Sequence, residues 1–289
     1  MVAQEQRGAE TRGSRALWLR IGPTMLTLAM TGLAGLVRAI GRVSRSSARH
    51  AGGMGFLVWR AAKATVGGRV HLRDVVIQAY SMGVESVPLV CVTGILSGVV
   101  TSQQGGYQFT SSIPLYVLGS VVTEGVILEL GPVMTAFVLI GRVGARITAE
   151  LGTMQVSEQI DALYSLGRDP VPGLAAPRLI AGIITTPLLV GIANVAGCIA
   201  GLLAARATVG LGPDAFLFGA RLFWHNWDLF YSLMKGLVFG FIIPLISVYM
   251  GFGTRGGAEG VGRATTTSVV FMIISVLVLD ALFPPLFLN

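Results

Sequence analysis

Long apolar stretches with few or no charged residues are the feature that most restricts the fold of this chain. The stretch Leu179–Ala205 contains no Asp, Glu, Lys or Arg. About 20 apolar residues in a helix are enough to cross roughly 30 Å of hydrocarbon, so this stretch predicts a transmembrane helix. Four further stretches predict spans in the same way: Val87–Val100 with its apolar flanks, Ile113–Ile140, Gly236–Thr254 and Ala264–Leu288. The sequence therefore predicts an all-α membrane protein with about five transmembrane helices.

Composition supports a membrane protein over a soluble one. Charged residues make up 12% of the chain and hydrophobic residues 53%, whereas soluble domains carry about 25% charged residues. Glycine is abundant, with 39 of 289 residues, and small residues allow membrane helices to approach one another closely. The net charge of +7 comes from basic residues beside apolar spans, which is typical of topology signals. We therefore expect no nucleic-acid partner.

The distribution of arginine predicts the orientation of the spans. Basic residues are concentrated in cytoplasmic loops, according to the positive-inside rule. Two loops of this chain carry them, and we expect both in the cytoplasm and the C-terminus outside. A polar bend is predicted at Thr101–Ser112, and the residues Gln103–Ser112 and Arg206–Asp228 are predicted to lie outside. The arginines of the cytoplasmic loops are Arg142, Arg146, Arg168 and Arg178 after the second span, and Arg255 and Arg263 after the fourth.

The region before the first span is basic and amphipathic. Basic residues between Arg38 and Arg73 lie on both sides of the apolar run Phe56–Trp59, which predicts a helix lying on the cytoplasmic membrane surface. Residues 21–37 carry no charge, and an extra span and an interfacial helix are equally good interpretations of them. We divide the chain into an N-terminal extension, 1–50, and a membrane domain, 51–289.

Four polar motifs around the end of the second span carry a family resemblance. They read Glu129-Leu130-Gly131-Pro132, Gly141-Arg142-Val143-Gly144-Ala145-Arg146, Thr148 to Met154, and Ser157 to Leu163. This string resembles the MlaE/YrbE family of permeases, which work with MCE-domain proteins, and the resemblance runs from about Trp59 to Asn289.

The resemblance implies a permease subunit of an ABC transporter in the bacterial inner membrane. Such a subunit moves phospholipid or a related lipid between membranes. It implies three protein partners: a second permease copy in a homodimer, a separate cytoplasmic ABC ATPase, and an MCE-domain substrate-binding protein. ATP and Mg would bind to that ATPase, so we expect no cofactor in this chain.

The loop after the second span predicts a site for coupling to the ATPase. Residues Met154–Leu166 predict a short helix with one apolar and one polar face. The resemblance implies that this is the coupling helix of the permease, and an ordinary surface helix is the alternative. Its candidate residues are Glu150, Val156, Glu158, Gln159, Ile160, Asp161 and Leu163. Arg142 and Arg146 share a helix face with Glu150 and can pair with it, and anchoring at the cytoplasmic membrane surface is the preferred interpretation of both.

Glu129 predicts a second site, because an ionisable group at membrane depth usually faces a protein interior or a cavity. The resemblance implies that Gln104, Tyr107 and Glu129 line a lipid-binding cavity between two permease copies, with Val100 and Leu96 as apolar partners. The alternative is a local ion pair of Glu129 with an arginine of a neighbouring helix.

Two polar residues near the ends of the last spans remain. Lys235 is placed to snorkel to the membrane surface, and Asp280 to cap a helix or pair across helices.

Catalytic and metal-binding motifs are missing from the sequence. There is no G-x-x-x-x-G-K-[ST] loop to hold a nucleotide, and Cys91, Cys198 and the three histidines form no ligand pattern. We therefore predict no metal site, no catalytic residues and no enzymatic activity. A membrane-embedded lipid-modifying enzyme that uses Glu129 as acid or base is the alternative function, and a scaffold for an MCE complex is a third.

Overall fold

The computed structural model describes residues 48–109 and 114–287, and residues 21–37 lie outside this range. Every regular element in the described part is helical. A short 3₁₀ turn, Val84–Ser86, joins the second and third helices. The helices are α1 over 48–66, α2 Leu72–Met82, α3 Val87–Gln108, α4 Val117–Val156, α5 Gln159–Ser165, α6 Val171–Val209, α7 Pro213–Leu222, α8 Asn226–Phe252 and α9 Gly257–Phe287.

Five segments of the described chain are long and apolar enough to cross a membrane: α2 with α3, α4, α6, α8 and α9. The prediction of an all-α protein with about five spans is confirmed. The segments extend beyond the predicted stretches because polar residues at their ends are also helical. In particular, α8 begins at Asn226 rather than at Gly236, so that Lys235 lies well inside a membrane-spanning helix.

The polar bend predicted from Thr101 is wrong over the residues up to Gln108. These residues continue α3, because the small side chains among them pack against other helices. Ser102 is buried, and a Cβ placed on Gly105 would lie 2.6 Å from a methyl group of Leu118 in α4. Helix α7 lies within the segment Arg206–Asp228, and the predicted position of this segment on the outer side stays a prediction.

Glycines hold the spans together by allowing backbone-to-backbone contact. A Cβ on Gly98 of α3 would overlap the carbonyl oxygen of Gly197 in α6, so no larger residue fits there. Gly182 of α6 and Gly240 of α8 exclude a Cβ from each other in the same way. Close approach of this kind maximises van der Waals contact where lipid supplies no hydrophobic force between helices. Helix α6 is thus packed between α3 and α8.

Helix α4 is interrupted by two π-helical turns, Gly125–Leu130 and Ile140–Gly144. A π-helical turn contains one extra residue and rotates the side chains that follow it, and such turns are frequent at functional sites. The first turn contains Glu129 and the second contains Arg142. Two of the four motifs that carry the family resemblance therefore overlap departures from regular helix.

Helix α1 has one buried side and one exposed side, and the exposed side carries apolar as well as basic residues. Leu57, Ala61 and Ala64 are buried, whereas Phe56 and Trp59 are mostly exposed. Arg60 forms an ion pair with Asp169 at 2.7 Å, and this hydrogen bond raises the pKa of the guanidinium. The ion pair ties α1 to the loop before α6. The position of α1 at the membrane surface stays a prediction.

The contact between α3 and α6 generates a stability prediction. Gly98→Ala places a methyl group against the backbone of Gly197, and we expect a loss of about 1–3 kcal/mol, which is typical of overpacking. Gly191→Ala in α6 is the matched control, because a Cβ there has no neighbour within 4 Å. Thermal unfolding in detergent would measure both variants. Equal unfolding temperatures would show that this contact does not hold the spans together.

Candidate functional site

Three charged side chains meet between α4, α8 and α9. The Nζ atom of Lys235 lies 2.7 Å from Oε2 of Glu129 and 2.7 Å from Oδ1 of Asp280. The same ammonium donates a hydrogen bond to the carbonyl oxygen of Leu128 at 3.1 Å. It also lies 5.1 Å from the centre of the Tyr231 ring, which is close enough for a cation–π contact. We call Glu129, Lys235 and Asp280 the charge cluster.

The charge cluster is unevenly accessible. The side chain of Lys235 is completely buried and that of Asp280 is 11% exposed, whereas that of Glu129 is 51% exposed. A buried ammonium is tolerated only when hydrogen-bonded acceptors replace its water shell. Glu129 of α4 accepts a hydrogen bond from Lys235 and Asp280 of α9 forms an ion pair with it, so the cluster joins three spans.

The charge cluster corrects two expectations. The proposed partner of Glu129 was an arginine, but its partner is Lys235. Lys235 does not snorkel to the surface, because α8 begins earlier than predicted and carries this residue into the interior. The pairing of Asp280 across helices is confirmed. Sequence reasoning treated the two residues separately, since nothing in the chain order shows that they face each other.

A second buried polar contact joins α6 to α8. Asn194 of α6 donates a hydrogen bond to Ser232 of α8 at 2.8 Å, and both side chains are buried. A Cβ on Gly131 would overlap the amide oxygen of Asn194. This contact gives a physical reason for the glycine in the Glu-Leu-Gly-Pro motif: α4 must leave room for an amide from α6.

The other predicted lipid-binding residues share one exposed face of α3. Leu96, Val100, Gln104 and Tyr107 are spaced by three or four residues, which places them along one side of the helix, and all are exposed. Glu129 is on α4, in the π-helical turn that packs beside α3. The structure thus brings four of the five residues onto one surface, and the cavity between two copies stays a prediction.

The predicted coupling segment is divided into two helices. Helix α4 ends at Val156 and α5 begins at Gln159, so the single helix predicted over Met154–Leu166 is wrong. The break is at Glu158, whose φ of 61° is in the left-handed region that is costly for a residue with a side chain. Ile160, in the first turn of α5, is buried. The polar residues Glu158, Gln159 and Asp161 are exposed, and Val156 and Leu163 are half-buried.

Ion pairs at the same end of α4 connect it to two other elements. Glu150 pairs with Arg178 of α6 at 2.8 Å, and the Arg178 side chain is only 3% exposed. Arg142 and Arg146 therefore do not pair with Glu150, as their spacing suggested. Both instead contact Glu85 in the turn between α2 and α3, at 3.0 and 3.7 Å. Sequence reasoning missed Glu85, a solitary acidic residue just before the first apolar stretch.

Comparison with known proteins settles the family. The family model described as Permease MlaE matches residues 75–285. The chain belongs to the MlaE permease family. A probable ABC transporter permease protein of Rickettsia felis is 35% identical to it over 88% of this chain and 98% of the relative. Its counterpart in Synechocystis is 38% identical, over 73% and 80% of the two chains.

A plant protein is also similar to this chain. The chloroplastic protein TRIGALACTOSYLDIACYLGLYCEROL 1 of Arabidopsis thaliana is 35% identical over 74% of this chain and 61% of its own length. Our MlaE-family protein is thus an ABC transporter permease, a multi-pass membrane protein and a transporter component rather than an enzyme. The alternative of a lipid-modifying enzyme that uses Glu129 has no support.

Removing the cation of the charge cluster should destabilise this MlaE-family permease. Lys235→Met leaves two carboxyl groups facing each other without a cation, and breaking a buried ion pair typically costs about 3–5 kcal/mol. The triple variant Lys235→Met, Glu129→Gln, Asp280→Asn should recover much of this loss because no charge remains. Thermal unfolding in detergent measures both, with Lys63→Met on the exposed side of α1 as the control. A stable single variant would contradict the prediction.

Proposed function

We propose that this chain is the permease subunit of an ABC transporter that moves phospholipid or a related lipid between membranes. It works with a separate ATPase and an MCE-domain protein. The observation that carries the proposal is the exposed face of α3, which is apolar at Leu96 and Val100 and polar at Gln104 and Tyr107.

The α3 face has the polarity pattern of a lipid molecule. From Leu96 to Tyr107 the helix rises by about 16 Å at 1.5 Å per residue. Acyl chains would lie against the apolar half, where no polar group must be desolvated. The amide of Gln104 and the hydroxyl of Tyr107 would donate hydrogen bonds to the headgroup. The name of the Arabidopsis relative contains that of a glycolipid, which also supports a lipid as the transported molecule.

A second permease copy is the partner we propose for the α3 face. In one copy, Tyr107 is 93% exposed and Val100 is 48% exposed. A homodimer would enclose a lipid between two such faces, with Glu129 of the adjacent helix at the edge. This arrangement follows the family resemblance and joins the five predicted residues into one cavity.

The segment around Glu158 is the proposed docking site of the ATPase. It directly continues α4, and its exposed residues, Glu158, Gln159 and Asp161, offer carboxylate and amide groups to a partner. A strained backbone position such as that of Glu158 is often retained for function. ATP and Mg would bind to the partner, and closure of the partner would pull on α4 through this segment.

The proposed ATPase contact at Glu158 also determines the membrane orientation that we propose. We place α5, Arg168 and the loop between α8 and α9 in the cytoplasm, where basic residues accumulate. The α7 side then faces outwards, toward the MCE-domain protein. The bacterial inner membrane is the location that an ATPase in the cytoplasm requires.

Charge reversal should disrupt the ATPase contact. We expect Glu158→Lys to reduce the ATPase recovered with the tagged permease several-fold, because an exposed carboxylate at the docking site becomes repulsive to its basic partner group. Glu259→Lys is the matched control, an exposed glutamate that pairs with Arg263 at the start of α9. Quantitative pull-down from membranes measures both. Equal recovery would exclude Glu158 from the interface.

Loss of the headgroup contacts should reduce bound lipid. We expect Gln104→Ala and Glu129→Gln each to lower the lipid that copurifies with the complex by at least about half. Gln at position 129 keeps a hydrogen-bond acceptor for Lys235, so the complex should stay folded. Gln78→Ala in α2 removes the same amide outside the α3 face and is the control. Mass spectrometry of extracted lipid provides the measurement. Undiminished lipid in both variants would contradict the cavity.

A further inference from the structure

The exposed side of helix α1 combines aromatic, apolar and basic side chains. Its members recur at intervals of three or four residues, which places them along one side of the helix: Phe56, Trp59, Lys63 and Val66. Phe56 is 62% exposed, Trp59 68% and Val66 90%. Large apolar groups that are exposed together mark a surface that meets a partner or a membrane. We call these four residues the α1 outer face.

The charges around the α1 outer face indicate the kind of partner. Residues 56–73 contain four basic residues and no acidic one. Arg60 is paired with Asp169. The other three are exposed and form no ion pair within the described part of the chain: Lys63, Arg69 and Arg73. Trp is favoured in the headgroup layer, and Lys and Arg beside a membrane attract anionic lipids. The partner that fits is therefore an anionic lipid surface.

Arg60 connects the α1 outer face to the loop between α5 and α6. Its guanidinium lies 5.7 Å from the centre of the Phe56 ring and donates a hydrogen bond to Oδ1 of Asp169 at 2.7 Å. The same Oδ1 atom accepts the backbone N–H of Val171, the first residue of α6, at 3.0 Å. Hydrogen bonds to Asp169 and, more weakly, to Tyr164 of α5 raise the pKa of the guanidinium. One side chain of α1 thus contacts α5 and the start of α6.

Tight turns leave little slack on either side of this connection. Helix α1 ends at Gly68, whose φ is 65°, and the N–H of Arg69 donates to the carbonyl oxygen of Ala64 at 3.0 Å. This is the hydrogen-bond pattern of a Schellman motif. Helix α5 ends with the same pattern at Gly167, whose φ is 71°. A displacement of α1 is therefore passed to the end of α5 through Arg60 rather than absorbed by a flexible loop.

We propose that α1 senses anionic lipid in the cytoplasmic leaflet and controls the ATPase rate of the complex through Arg60 and Asp169. The inference rests on the proposed function for the position of the ATPase beside α5. The α1 outer face enters the headgroup layer, and Lys63, Arg69 and Arg73 bind lipid phosphates. Each such residue strengthens attachment by about fivefold. Attached α1 holds Asp169 in place, so that α5 presents a fixed surface to the ATPase.

The test measures ATP hydrolysis by the complete complex in two sets of nanodiscs. One set contains phosphatidylcholine alone, and the other contains an equal mixture of phosphatidylcholine and phosphatidylglycerol. We expect a rate at least about threefold higher in the mixture, because only that membrane attracts the basic residues of α1. Quenching of Trp59 fluorescence by brominated phosphatidylglycerol, taken as the difference from Trp59→Phe, reports the attachment of α1 separately. Equal rates in the two membranes would overturn the proposal.

A charge variant tests the lipid contact. Lys63→Gln combined with Arg69→Gln should remove most of the rate difference between the two membranes. Arg255→Gln combined with Arg263→Gln is the matched control, because it neutralises two exposed arginines around the start of α9 and should leave the difference unchanged. A full rate difference in the Lys63 and Arg69 variant would show that phosphatidylglycerol acts elsewhere, and would overturn the assignment to α1.

A second variant tests the transmission to α5. Asp169→Asn keeps an oxygen acceptor for the N–H of Val171 but removes the charge that holds Arg60. Trp59 quenching should persist in this variant while the rate difference disappears. A retained rate difference, or a loss of quenching, would overturn the transmission through Asp169. An ATPase rate that is the same with and without the permease would instead overturn the proposed function.

Discussion

The burial of one ammonium group sets the conditions for the rest of the membrane domain. Lys235 has no access to solvent, so its charge is sustained only while Glu129 and Asp280 stay within hydrogen-bonding distance. Those two residues belong to α4 and α9, and Lys235 belongs to α8. The relative positions of three spans are therefore tied to one point. A bundle held only by van der Waals contact would have no such fixed reference between its helices.

Helix α4 is the element that links the sites. Glu129 in its first half belongs to the charge cluster, and its second half pairs with Glu85 and with Arg178. It then ends at the strained break that precedes α5. Displacement of the end of α4 near Val156 would shift the α2–α3 turn and α6 together. This geometry supports α4 as the route from the proposed ATPase contact to the α3 face.

Much of the architecture was predictable from hydropathy, and the interior contacts were not. Apolar length indicated five spans, because the cost of exposing polar groups to hydrocarbon leaves few other solutions. The partners of Glu129 and Glu150 were missed, since residues far apart in the sequence meet only after packing. The break at Glu158 was also missed, because Glu is an ordinary helix former and its left-handed backbone depends on the contacts of the two helices around it.

The glycine contact between α3 and α6 limits how this permease can move. Two backbones in direct contact have no side-chain layer that could absorb sliding by adopting other rotamers. We therefore expect α3 and α6 to move together as a rigid pair, so that a displacement of α3 also displaces α6. Since α6 is packed against α8 by a second glycine contact, the moving unit within one copy is a slab of three helices. Flexibility is then left to the contacts of these three helices with the rest of the chain.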